Sequence, residues 1–210
     1  MIDATVAANT AAPLLHVVSA VSSILQRNAG PSAMVRQAAE AHIRDYSDLL
    51  AAGDARLNDS SATFLFLHMP IPHPGGIYNR KTGELAAGNP SYLNNLALAD
   101  EYLRHIMWLL QQRGEWDSAA VIVMGDHSWR TQLLWLHTPE WTAEEDAASH
   151  GGQFDDRPGY IVKLPGQHQA SRIDESFVAL RTRSLLRNIL NGHIQTPTDL
   201  AAWARDNHAQ

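Results

Sequence analysis

Cysteine is absent from this chain. That removes a disulfide framework, a thiolate nucleophile and any cysteine-bound zinc from consideration. There is also no run of the roughly 18 apolar residues that a membrane span requires, so no span is expected. The segment before Pro13 lacks the basic stretch of a secretory signal peptide and carries Asp3, which argues against reading it as one. No block of like charge occurs. The formal net charge of −6, from 22 acidic and 16 basic residues, gives no pull toward nucleic acid or an anionic membrane surface. Internal repeats and low-complexity tracts are missing too.

What is present is a chain of 210 residues, 45% hydrophobic and 18% charged. That length and balance suit one soluble globular domain with a real core. Apolar residues at three- and four-residue steps predict helices over 14–25 and from Pro31 to about Ala52, the second with Gly53 as its stop and Met34, Val35, Ala38, Ile43, Tyr46 and Leu49 inward. Ser91 to Arg113 is the clearest helix, with Tyr92, Leu96, Ala99, Leu103, Ile106 and Leu110 on its apolar face. Further helices are expected over 176–190 and 198–206. Strands are expected at Thr63–His68, Val121–Met124 and Tyr160–Leu164, with 131–137 ambiguous and 142–148 an acidic surface stretch. The irregular segment from Met69 to Asn89 is long for a compact domain, and such segments are often functional. Three or four strands make a narrow sheet, since the mean is roughly five to six.

The chemistry centres on Val121-Ile-Val-Met-Gly-Asp126-His127. A short β-branched run suits a strand buried on both faces, as in a parallel sheet. Ligands collect at the carboxyl ends of such strands. A carboxylate beside an imidazole there offers one oxygen and one nitrogen to a divalent cation, zinc first, with manganese or calcium as alternatives. The plainer reading makes Asp126 a helix cap and His127 a turn histidine.

A second cluster, His68-Met-Pro-Ile-Pro-His73-Pro, follows another predicted strand. Pro70, Pro72 and Pro74 forbid a helix, and side chains five apart on an extended chain face opposite ways, so the segment must bend if both rings are to meet one ligand. Otherwise His68 completes the strand and His73 sits in a solvated loop.

In order, Phe64–Tyr78 (FLFLHMPIPHPGGIY), Tyr92–Leu103 (YLNNLALADEYL), Trp116–His127 (WDSAAVIVMGDH) and Arg157–Gln167 (RPGYIVKLPGQ) resemble the alkaline phosphatase superfamily. Within it, the likeness is to sulfatase-like hydrolases and phosphoethanolamine-type transferases. The resemblance implies an α/β fold, here a partial alkaline-phosphatase-like sheet of about three to four strands flanked by helices. It implies metal-dependent chemistry on phosphate or sulfate esters. Asp126 and His127 would be metal ligands, with Ser128 where the family usually has Gly. His73 and His68 would contact the transferred group, and His150, in His150-Gly151, is similar to a further family histidine. Asp100 is left as a solvated helix charge, and Lys163 as a side chain snorkelling from its strand.

The family's nucleophile strand and helix have no counterpart before residue 60, where Thr5 and Thr10 lie in an Ala-rich stretch. The resemblance therefore implies the carboxyl-terminal half of a catalytic domain over 61–195. A helical segment would precede it over 1–60, and a helix or tail would follow over 196–210. A separate amino-terminal half or a homo-oligomer would complete it. The family implies an extracytoplasmic setting, which nothing in the chain itself marks. The rival readings are a non-catalytic binding or structural module and an unrelated α/β protein with incidental histidines.

Overall fold

The computed structural model describes residues 31–73, 75–88, 91–129, 141–153 and 155–206. The expected helix over 14–25 and the ambiguous 131–137 lie outside them. In chain order the elements are α1 (Pro31–Leu57), β1 (Tyr78–Asn79), β2 (Glu84–Leu85), α2 (Tyr92–Gln112), β3 (Val121–Met124), α3 (Ala143–Ala148), β4 (Tyr160–Lys163), α4 (Thr182–Leu190) and α5 (Pro197–Arg205). A 3-10 turn, Ala179–Arg181, leads into α4. No described helix is long and apolar enough to cross a membrane.

The chain mixes α and β, but the β structure differs from expectation. The described strands form two separate antiparallel pairs, β1 with β2 and β3 with β4, the second in the register Val121↔Lys163 to Met124↔Tyr160. None of the four β3 residues is fully buried. One face of the β3–β4 pair packs Ile122, Tyr160 and Val162 against Leu164, Leu185, Ile194 and Leu200 from the α4–α5 side. Ile161 points outward and is 61% exposed. Thr63–His68 forms no strand at all. Its apolar run satisfies the sequence criterion for a strand, but no other described segment supplies hydrogen bonds to its backbone.

A second core joins α1 to α2: Ala39, Tyr46, Ile77, Tyr78 and Leu98 are buried together, with Ile43, Leu50, Met69 and Ile71 against them. The inward face of α2 is Asn95, Leu98, Tyr102 and Leu109, one position away from the predicted stripe, and Leu96 is 47% exposed. Met34, Val35 and Leu49 of α1 are likewise exposed. α1 also runs past Gly53 instead of stopping there. A Cβ on Gly53 would stand 3.0 Å from the Tyr102 hydroxyl, so this glycine serves helix-to-helix approach.

The segment over 142–148 is the largest departure from a surface reading. Thr142 caps α3 through a reciprocal box with Glu145, and the Glu145 side chain is fully buried. One carboxylate oxygen accepts from the Ser91 hydroxyl and from the Leu93 amide (3.1 Å) at the start of α2. The other accepts from the Thr142 hydroxyl and the Thr142 amide (3.0 Å). One carboxylate thus serves two helix N-termini, where unpaired amides and the helix dipole favour an anion. Burial works to raise its pKa, but the four hydrogen bonds outweigh burial and hold it below the ordinary carboxylate value.

A depressed folded-state pKa stabilises the protein fully above the unfolded value of about 4.3, and that contribution is lost as pH falls through the folded one. Glu145→Gln is expected to lower stability at neutral pH by about 2–3 kcal/mol. It should also flatten the acid limb of a stability–pH curve measured by urea melts. An unchanged acid limb would contradict the role given to this carboxylate.

Candidate functional site

Gly125 ends β3, and its amide donates to the Gly159 carbonyl at 3.0 Å, extending the pairing with the β4 side by one step. A Cβ on Gly125 would stand 3.0 Å from the His127 carbonyl oxygen and 3.3 Å from Pro158 Cβ. The glycine therefore permits the sharp bend that follows. Past that bend Asp126 Oδ1 and His127 Nε2 lie 3.7 Å apart, with the two side chains 75% and 41% exposed. That separation is beyond a hydrogen bond. It is close to the roughly 3.4 Å that two ligands at about 2.1 Å from a tetrahedral ion would span.

The other ring nitrogen, Nδ1, is 2.8 Å from the Ser128 carbonyl. A carbonyl only accepts, so Nδ1 carries the proton and Nε2 of the neutral ring presents a lone pair. Ligand histidines commonly donate their second nitrogen to a carbonyl in this way. A carboxylate oxygen and an imidazole nitrogen thus lie side by side at the end of β3. Among the described residues no group of three His, Asp or Glu side chains could hold a metal ion. The pair fits such an ion as half of a coordination sphere.

His73 and His68 are both exposed. The loop carrying His73 is pinned from two helices. Asn95 of α2, fully buried, accepts from the Ile77 amide at 3.0 Å and donates to the His73 carbonyl at 2.7 Å. His42 of α1 bridges the same loop, with Nε2 2.6 Å from the Pro70 carbonyl and Nδ1 3.2 Å from that of Gly75. The rings of His42 and His73 stand 6.2 Å apart, edge to face. His68 lies on the extended stretch before this loop.

His150 follows α3 with φ +54, its amide bonded to Ala147 O (3.3 Å) and the next amide, Gly151, to Asp146 O (2.8 Å). This is the Schellman helix stop, and His150 holds the left-handed position where glycine is usual. Its side chain lines an open cleft of about 670 Å³ with Trp129, Ser149, Gln153, Asp156 and Arg157. Arg157 is engaged by Asp155 at 2.6–3.2 Å, so this cleft offers an anion little uncommitted charge.

The His73 loop and the segment after β3 meet one structural feature in common, the first turn of α2. Asn95 holds the His73 segment there. Tyr92 stacks on Trp129 (ring centroids 4.8 Å), two residues beyond His127, and Trp129 in turn contacts Trp141 at 5.2 Å. The Tyr92 phenol is raised above its ordinary pKa, first by burial and then by the Asp126 carboxylate. Lys163 does not snorkel to solvent. Its ammonium donates to the carbonyls of Trp116 and Ala119, over the Trp116 ring at 4.8 Å. Asp100 is exposed, as expected, beside Arg104 at 4.0 Å.

His42, Asn95, Glu145 and Trp129 did not emerge from sequence reasoning. For His42 the signal was available: it lies one turn before Tyr46 on the apolar face expected of α1. No family model, no curated protein and no solved structure matches this chain.

Asn95→Ala would strand the Ile77 amide in the core, and stability should drop by about 1–3 kcal/mol. The amide of Ile77 should lose its hydrogen-exchange protection, and retained protection would refute the Asn95 anchor. His150→Gly should raise stability by about 0.5–1 kcal/mol by relieving a left-handed non-glycine residue. A loss in a thermal melt would show the ring makes contacts worth more than that strain.

Proposed function

We propose that this chain is a sulfatase- or phosphatase-like domain that binds a divalent cation and acts on phosphate or sulfate esters, as a hydrolase or a phosphoethanolamine-type transferase. The observation that carries the reading is the convergence of Asp126 Oδ1 and the Nε2 lone pair of His127, 3.7 Å apart at the end of β3. One nitrogen and one oxygen donor favour zinc or manganese over calcium, which takes oxygen ligands. Bound there, such an ion supplies Lewis acidity toward an ester oxygen. His73, exposed on a loop pinned at the first turn of α2, is suited to donate to an anionic group, with His68 preceding it. His150 borders the cleft beside Trp129. The reading assigns no nucleophile to this chain. A second polypeptide that completes the coordination sphere and brings a hydroxyl nucleophile fits it.

A second reading, a binding or structural module without turnover, draws on one observation. No third donor stands with Asp126 and His127 among the described residues, and structural or catalytic zinc sites use three or four protein ligands.

Zinc titrated into the purified chain should bind at one site, lost in both Asp126→Ala and His127→Ala by calorimetry and by elemental analysis after dialysis. Uptake unaffected by either change would remove the ligand assignment. With zinc bound, inorganic phosphate should bind, and His73→Ala should weaken that binding. Zinc binding with no phosphate affinity would favour the binding-module reading. Aryl phosphate and aryl sulfate should show no turnover with the chain alone.

A further inference from the structure

The stretch from Thr63 to His68 belongs to neither core. From Phe64 to Met69 exposure alternates residue by residue, the period of an extended chain. Phe64 is 61% and Phe66 79% exposed, while Leu65 and Leu67 are partly buried. No hydrogen bond joins the backbone of residues 63–69 to any described residue. Every residue from Ser60 to Pro74 is formally uncharged. Exposed edges are usually protected by charge, bulges or cover, and this one has a long uncharged run, two outward phenylalanines and amides that pair with no described residue.

The sequence of the segment is complementary to itself. Laid antiparallel on a second copy with Leu65 on the two-fold axis, Phe64 falls opposite Phe66, Phe66 opposite Phe64 and Thr63 opposite Leu67. Outward residues then meet outward residues, so the four phenylalanines share one face and Leu65 meets Leu65 on the other. Opposed aromatic pairs stabilise such ladders, and no like charges oppose each other. Pro70, which has no amide hydrogen, ends the ladder. A two-fold contact of this kind closes on itself and does not propagate into fibres.

We propose that residues 62–68 pair antiparallel, in that register, with the same residues of a second copy of this chain. The pairing is independent of the metal and ester reading above.

The absence of native cysteine makes the register directly testable in the full chain. Opposed Cα atoms in an antiparallel pair lie about 4.5–5.5 Å apart, within disulfide reach, whereas diagonal neighbours at about 7–8 Å do not. Phe64→Cys mixed with Phe66→Cys should therefore give a disulfide-linked heterodimer much faster than either variant alone. Analytical ultracentrifugation should show a concentration-dependent dimer for the unaltered chain and a monomer for Phe66→Lys, whose site is exposed and whose circular dichroism should match. A dimer that survives Phe66→Lys, or cross-linking no faster in the mixture than in either variant alone, would overturn the proposal. So would an unaltered chain that stays monomeric up to its solubility limit, or one that pairs only with an added strand from another polypeptide. Asp126→Ala should leave the dimer intact, so the failure of one reading is visible apart from the other.

Discussion

A carboxylate shut away from water survives only if its desolvation is offset by hydrogen bonds. Glu145 meets that condition with four donors drawn from the starts of α2 and α3. Ser91 stands at the N-cap of α2 but makes no cap hydrogen bond of its own, because its hydroxyl is turned to Glu145. The anion capping α2 therefore comes from a residue more than fifty positions later in the chain. This fixes the first turn of the 21-residue α2, and both candidate-site segments are tied to that turn.

From there the constraint passes outward through polar contacts. Asn95 takes up the Ile77 amide and the His73 carbonyl, while the His42 ring sits between the carbonyls of Pro70 and Gly75 and its N–H donates to one of them. A loop with three prolines has few amides of its own to donate, so its carbonyls depend on side chains reaching in from α1 and α2. On the other flank, the Tyr92–Trp129 stack holds the chain just beyond His127. The site's order is thus set by buried polar anchors and ring stacking, since among the described strands β3 pairs with β4 alone.

Local patterns in the sequence were reliable where local physics decides. α2 begins and ends within one residue of the helix read from periodicity, Gly114 and all, and β3 and β4 fall where short β-branched runs placed them. Non-local facts were not legible. Thr63–His68 has strand composition, yet pairing depends on a neighbour the pattern cannot name. The buried stripe of α2 is turned by one position because Asn95, polar by type, is drawn inward by the loop it anchors. Glu145 reads as one more acid among Glu144 and Asp146, and only the placement of Ser91 and Leu93 reveals it as a cap. The Asp126-His127 pair was visible as residue types, whereas the tautomer that frees Nε2 depends on a carbonyl position.

Adjacency in sequence does not by itself bring two side chains together, because neighbours on a strand point to opposite faces. Asp126 and His127 converge because the strand stops at Gly125 and the chain folds back tightly enough to carry the His127 carbonyl to within 3.0 Å of where a Cβ would be. A Cβ at 125 would also stand 3.3 Å from Pro158 Cβ, so any larger residue there forces the bend or its neighbours to shift. The Gly-Asp-His order is therefore a geometric unit. The glycine permits the bend, the bend converges the donors, and the Ser128 carbonyl selects the ring tautomer that leaves a lone pair facing the acid. Both side chains stay open to solvent, and at 3.7 Å their nearest polar atoms are too far apart to hydrogen-bond to each other.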